Sequence, residues 1–504
     1  MNPPLRAPRE HGRSLFVPPL SSVDALLAGN RRLLDQHALR TGARRDVLAV
    51  AAAYHRAAGE IVPDLRYGDS LIVGGHQPEL FHPGVWFKNF VLHKLAQQHR
   101  AVGLNLIIDT DTAKPAVMRI PGADRGMLVP YDRSSPEVPY EERHVADEEA
   151  FASFPMRAME VMRQHDFEPI LPEFWRRAIG QAQRTPLLGE RFVFARRELE
   201  RRWGVAQREA PMSQVCATPS FARFAWMILH RLADFVTAHN RILDAYRSAN
   251  RMRSRLHPFP DLASDGDWLE APFWAWRTGE RRRHRLFVNR TTAGLTVRAG
   301  NGAWPTLPIE RADDFIAAWI ELQRLGYKIR SRALTTTMFA RLFLADLFVH
   351  GIGGGIYDEV TDFIIRDFFQ REPPAYLIAS ATLLLPLPRH ADAESGLRRL
   401  ERRARDLQYK PELFIAPGQA DALVAEKRGW IASDCQSRSK RVERFYALRR
   451  LNQLLLPYVE NAREQTSREI DACRHKKAMH ELAAERDWAF CLYPEPLLQK
   501  GLKP

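Results

Sequence analysis

The sequence predicts an α/β protein. Its expected frame is an open, doubly wound sheet that carries an inserted helical segment and an inserted β-rich segment and ends in an antiparallel helical hairpin. Three observations predict it. Residues 69–111 read as strand, polar loop, helix and strand, the opening unit of such a sheet. Apolar spacing is helical between about 147 and 255, whereas 269–298 alternates aromatic and β-branched residues with polar ones. Beyond residue 390, leucines recur at three- and four-residue spacing among arginines and glutamates.

Taken in order, residues 1–65 form an N-terminal arm, draped or flexible, and then helices over about 22–60. Residues 66–390 are the core. Leu71–Val73 is a short apolar run of the kind buried on both faces of a parallel sheet, and Gly74-Gly75 breaks it. Pro83 suits a first helical turn, where its missing N–H has no partner anyway. Apolar residues then recur at helical spacing to Leu95, and Leu104–Ile108 is a second buried strand ending in Asp109 and Asp111. Five prolines between 115 and 139 point to loops with a β excursion. The helical insertion (147–255) shows one apolar face through Phe221, Phe224, Ile228, Leu232 and Phe235, and the β-rich insertion (269–305) has turn signals near Gly279 and Gly294. A helix over 308–325 precedes a segment read as strand, Thr-rich turn, helix, glycine loop (351–355) and helix. A buried strand follows over 376–385. In 391–504, the helix containing Leu397, Leu400 and Leu407 is expected to pair with the helix Arg438–Leu456, which Pro457 interrupts.

The chain has 504 residues, enough for two or three domains, with 45% apolar and 27% charged residues. It contains no apolar run long enough for a membrane span, and Met1–Leu20 lacks the apolar centre of a secretory signal. Four scattered cysteines without a CxxC pair argue against a zinc ribbon or disulfide framework and for a reducing cytoplasm. The net charge of +14 suits anionic small molecules such as nucleotides. No nucleic-acid motif accompanies it, so nucleic acid is the less expected partner. GxxxxGK[ST], GxSxG, HExxH and GxGxxG are absent, which removes the main support for P-loop, serine-hydrolase and zincin readings.

The candidate chemistry lies in two polar turns. In Gly75-His76-Gln77-Pro78-Glu79-Leu80-Phe81-His82-Pro83-Gly84, a helix start offers free N–H groups to a phosphate, His76, Gln77 and His82 can donate to its oxygens, and Lys88 lies one turn further on. Gly75, Gly84 and Lys88 are therefore cofactor-binding candidates. Asp109 or Asp111 can orient an acceptor amine or Mg²⁺. The second turn combines Arg332, Thr335, Thr336 and Arg341 with Gly353, Gly354, Gly355 and Tyr357, a set suited to a nucleotide or other anion. Trp274 and Trp276 can stack a ligand ring. No metal-ligand set stands out.

Two segments resemble the cysteine-adding ligase family of bacillithiol biosynthesis. One is Gly75–Phe81 with Pro83-Gly84 and Lys88, against a Gly-Gln-Gln-Pro-Gly-Leu-like loop in the family. The other is Leu334–Val349 with Gly353–Tyr357, against a Gly-Gly-Pro-Gly-Glu-like turn; the strand ending near Pro386-Leu387-Pro388 also matches. His76 stands where the family has glutamine, and Ile356-Tyr357-Asp358 replaces its Gly-Glu. The resemblance implies a Rossmann-like core of the nucleotidylyltransferase type and a C-terminal coiled coil able to form a homodimer. It also implies an ATP-linked ligase or transferase that joins an activated carboxylate, cysteine or a similar amino acid, to an amine. The alternative expectation is a non-catalytic scaffold that binds nucleic acid or protein through the basic helical hairpin.

Overall fold

The computed structural model describes residues 5–34, 38–61, 70–133 and 137–504. An edge strand β1 (Arg13–Val17), within the segment expected to be an arm, precedes α1 (Val23–Leu34) and α2 (Ala38–Ala57). The strand–helix–strand unit follows as β2 (Leu71–His76), α3 (Pro83–Gln98) and β3 (Val102–Ile107), and then the hairpin β4 (Val117–Pro121) and β5 (Gly126–Pro130). Helices α4 (Glu148–Met162), α5 (Leu171–Gly180) and α6 (Leu188–Arg202) lead to β6 (Arg208–Pro211), and α7 (Met212–Val215), α8 (Pro219–His230) and α9 (Leu232–Ala249) follow. The β-rich segment is β7 (Ser264–Asp265), β8 (Trp268–Arg277), β9 (His284–Thr291) and β10 (Gly294–Arg298). Beyond it the chain alternates α10 (Ala312–Arg324), β11 (Tyr327–Ser331), α11 (Ala333–Phe339), β12 (Leu347–His350), α12 (Ile352–Phe369) and β13 (Tyr376–Thr382). Helices α13 (Ala393–Tyr409), α14 (Asp421–Ala432), α15 (Arg438–Leu455), α16 (Glu460–Ala484) and α17 (Glu495–Gly501) complete the chain.

The fold is mixed α/β. Its main sheet has the order β1-β13-β12-β2-β3-β6, parallel except for the edge strand β1, which runs antiparallel to β13. Alternation along β2 assigns its side chains to two cores. Ile72 shares one with Trp86, Phe87 and Val91 of α3; Leu71 and Val73 share the other with α2 and α8. Both faces are covered, which is why the strand reads as an unbroken apolar run. A second, antiparallel sheet, β10-β9-β8-β11 with β7 beside β8, packs into the same core as α8 and α10.

Three readings need correction. The Thr-rich segment is helix α11 and not a turn, and the glycines at 353–355 belong to the first turns of α12 and not to a loop. Between them Leu347–His350, expected as helix, is a strand held between β2 and β13. Its entry is clamped by Asp346, whose carboxylate takes Arg40 at 2.5 Å, Arg44 at 2.7 Å and the Leu71 N–H at 2.7 Å. Periodicity cannot separate a four-residue buried strand from a buried helix, and pairing on both sides decides it here. The four-residue strand β6, Arg-Glu-Ala-Pro inside the expected helical insertion, escapes notice because it has no apolar run; its pairing with β3 makes it a strand.

The C-terminal helices do form an antiparallel hairpin, with a different pairing from the expected one. α13 packs along α16 and α14 along α15. The legs break at Pro411 and at the 3-10 turn Leu456–Val459, and the tip lies at 433–437. Past the hairpin, Trp488, Phe490, Leu492, Tyr493, Leu498 and Leu502 return to the core beside α3, so packing runs across residue 390.

Candidate functional site

β2 and β12 are neighbours, yet their crossovers diverge: β2 leads through α3 to β3, and β12 leads through α12 to β13 on the other side. The helices lie on opposite faces, α3 in the core with Ile72 and α12 in the core with Phe348. Strand ends part at such a point and leave a crevice flanked by two helix N-termini. A cavity of about 930 Å³ fills it. The second sheet forms its far wall, and Leu5–Ala7 of the N-terminal arm lies along its edge.

From the first turn, Gly75, His76, Gln77, His82, Gly84 and Lys88 line this cavity, as does Asp111. From the second, Arg332, Thr335, Thr336, Gly353, Gly354 and Tyr357 line it. The two segments thus meet in one space.

Three expected members do not reach it. Asp109 turns away, its carboxylate bound by the N–H and hydroxyl of Ser213, and burial with Glu141 nearby pushes its carboxyl up to about 7. Arg341 is 1% exposed and spent on Asp358 (2.6 Å) and Asp362 (2.7 Å), so it supports the wall from behind. Gly355 is a packing glycine: a β-carbon there would stand 2.3 Å from Ile378 Cδ1.

Others line the cavity without the role expected of them. Both nitrogens of His76 face internal carbonyl oxygens, Gln77 O and Asn89 Oδ1, each at 3.1 Å. Burial, with Lys88 adding repulsion, pulls its pKa down to about 3, so the ring is neutral and turned inward. His82 is the N-cap of α3, its Nδ1 accepting from the Gly84 N–H at 3.0 Å. Burial and Arg486 hold it neutral, down to about 4, and Nε2–H is left as its donor. Thr335 Oγ1 accepts the Arg332 N–H at 2.8 Å and Thr336 pairs with Ser331 at 2.6 Å, so neither hydroxyl stands free. Asp111 is held between Gln77 Nε2 at 3.0 Å and Arg283 at 2.9 Å. Trp274 already carries two guanidinium groups, Arg283 at 4.7 Å and Arg332 at 4.4 Å from its ring, and Trp276 is buried.

Lys88 remains the central cation. It is 6% exposed, its Nζ donates to Gly75 O at 2.7 Å, and burial lowers its pKa to about 8. Among the described residues no carboxylate pairs with it.

The residues missed from the sequence are His350, at the end of β12, with its partner Asp358, and the cations Arg283 and Arg486. A signal for His350 existed: Leu347–His350 followed by Gly351 repeats the run-then-glycine pattern of Leu71–Gly75. Among the described residues, no group of three His, Cys, Asp or Glu side chains is placed to hold a metal ion, and no helix is long and apolar enough to cross a membrane.

No family model matches the chain, and no curated protein matches it.

Proposed function

We propose that this chain is a nucleotide-dependent ligase or transferase with a Rossmann-like core. It would activate a carboxylate with MgATP and pass it to an amine. One observation carries this reading: the cavity at the divergence of β2 and β12 holds a buried lysine that has no carboxylate partner among the described residues, between the N-termini of α3 and α12. The N–H groups at the start of α3 are taken by His82, so backbone donors come from the start of α12; the dipoles of both helices favour an anion there, and Lys88 supplies the full charge. His82 Nε2–H adds a neutral donor. A volume of about 930 Å³ accommodates a nucleotide and a small second substrate together. Such a site acts by orienting and stabilising charge on the transferred phosphoryl or adenylyl group. The resemblance to the cysteine-adding ligases makes cysteine the first carboxylate to try, with Mg²⁺ arriving on the nucleotide.

Thermal unfolding with and without MgATP tests the reading. A rise in Tm that saturates with nucleotide and is lost in Lys88→Met supports it. An unchanged Tm at millimolar ATP, ADP and pyrophosphate overturns it.

A second reading rests on the helical hairpin, where Phe445 (59% exposed) and Tyr446 (62%) stack edge to face 5.5 Å apart beside Arg438 and Arg441. Exposed rings among arginines suit single-stranded nucleic acid or a protein surface. Binding of a short RNA with a steep salt dependence, lost in Phe445→Ala, would favour it.

A further inference from the structure

His350 ends the central strand β12 at the cavity, 6% exposed. Its Nε2 lies 2.7 Å from Asp358 Oδ2. The same carboxylate oxygen receives Arg341 Nη1 at 2.6 Å, and Arg341 is in turn paired with Asp362. Burial alone would raise the Asp358 carboxyl, but His350 and Arg341 outweigh it and hold it below its ordinary value. An ionised Asp358 accepts, so the Nε2 nitrogen carries a proton, and the neutral form of the ring holds its lone pair on Nδ1. Among the described residues Nδ1 has no hydrogen-bond partner. It faces Gly354 at the start of α12, where a β-carbon would lie 2.8 Å away. Both residues line the cavity, and any side chain at 354 would crowd this nitrogen. Around the ring stand Asp358 from α12, Arg341 behind it, Tyr376 from β13 with its ring 5.0 Å away, and Lys88, whose stem borders Gly351.

We propose that His350 is the general base of the transfer step at this site, with Asp358 as its positioning residue. The proposal rests on the ligase reading above. The acceptor is an amine, and the donor is the carboxyl–phosphate anhydride formed from the carboxylate and MgATP. As the amine lone pair forms the C–N bond, its proton passes to His350 Nδ1. The bond between the carbonyl carbon and the phosphate-bearing oxygen breaks, and the phosphate or nucleotide leaves with that electron pair. Asp358 stabilises the imidazolium that forms, and Arg341 fixes Asp358.

Two measurements on the whole 504-residue chain test this. The first needs no substrate. Diethyl pyrocarbonate acylates an imidazole nitrogen that bears a lone pair, and peptide mass spectrometry reads each of the 17 histidines separately. His350 is expected to react in the wild type and to be shielded in Gly354→Ala. A His350 that stays unmodified while exposed histidines are fully modified overturns the inference. The second follows MgATP-dependent amide formation from a mixture of the standard amino acids, with methylamine or hydroxylamine as acceptor. His350→Gln is expected to slow transfer to methylamine by about 100-fold or more. Hydroxylamine, unprotonated at neutral pH, should lose far less. Equal losses with both acceptors overturn the base role. Asp358→Asn should move the pH profile for methylamine, which a purely structural contact would not do. A wild type that neither binds nor consumes MgATP overturns the ligase reading, and the acylation result still decides whether His350 Nδ1 is free.

Discussion

The Lys88 ammonium donates to the Gly75 carbonyl oxygen 2.7 Å away, so the cation of α3 is tied to the end of β2, the strand that precedes it. A carbonyl orients the charge without neutralising it. The lysine therefore stays both buried and electrostatically available, and burial brings its pKa down from 10.5 to about 8.

That shift has a sign. The unfolded chain holds this proton up to about pH 10.5 and the folded chain only to about 8, so folding is penalised below pH 8 and the penalty fades between pH 8 and 10.5. Lys88→Met should accordingly raise ligand-free stability at pH 7 by roughly 1–3 kcal/mol and remove the rise in stability over that window. Chemical denaturation from pH 7 to 10 checks it. Phosphate binding should raise the lysine pKa, so calorimetry near pH 8 in buffers of different ionisation heat is expected to show proton uptake.

Asp109 carries the opposite pH sense. Its carboxyl is raised from 3.8 to about 7, so the folded state holds a proton that the unfolded state has released. Stability associated with this group is complete below about pH 4 and is lost as pH rises through 7. Asp109→Asn, which keeps an acceptor for Ser213, should be more stable than the wild type at pH 8 by roughly 1 kcal/mol and no better at pH 4. Urea midpoints at the two pH values decide it.

Arg341 sits between Asp358 and Asp362 at 1% exposure, and removing it leaves Asp358 with His350 alone and takes the cation from Asp362. Arg341→Met should destabilise by about 3–5 kcal/mol. Arg341→Lys should recover only part of this, because a single ammonium cannot reproduce the guanidinium fork. Thermal unfolding ranks the three proteins.

Beyond the hairpin, Trp488, Phe490, Cys491, Leu492, Tyr493, Leu498 and Leu502 are all at most 1% exposed. Full burial of each large apolar side chain contributes about 1.5–3 kcal/mol. Ending the chain after Ala484 should therefore leave an insoluble or unfolded product. Replacing residues 412–455 by a short glycine-serine linker should spare the core and its cavity. Solubility and circular dichroism of the two deletions test the contrast.

Much of the frame was legible before any coordinates. Leu71–Val73, Pro83 and Leu104–Ile108 announce a strand, a helix start and a strand through properties that act over a few residues: burial on both faces, a missing N–H and strand length. His82 was correctly placed beside the helix start, but local pattern could not show that its Nδ1 caps the helix. His76 was legible as a polar group at a strand end, and not as a ring facing two carbonyl oxygens. β12 was illegible because so short an apolar run carries no period of its own, and β6 because Arg208-Glu209-Ala210-Pro211 has no apolar run at all.

By itself the sequence determined the kind of protein this is: a parallel α/β sheet with an alternating second sheet, a basic helical hairpin, and two polar, glycine-bearing segments. Tertiary structure alone decided which of those polar groups share a space. Asp109 and Arg341 lie within a few residues of cavity-lining positions, yet they are drawn into internal pairs, because a buried charge must find its counter-charge wherever packing puts one. His350 reaches the site because β12 pairs beside β2, a contact between segments about 275 residues apart that no local pattern encodes.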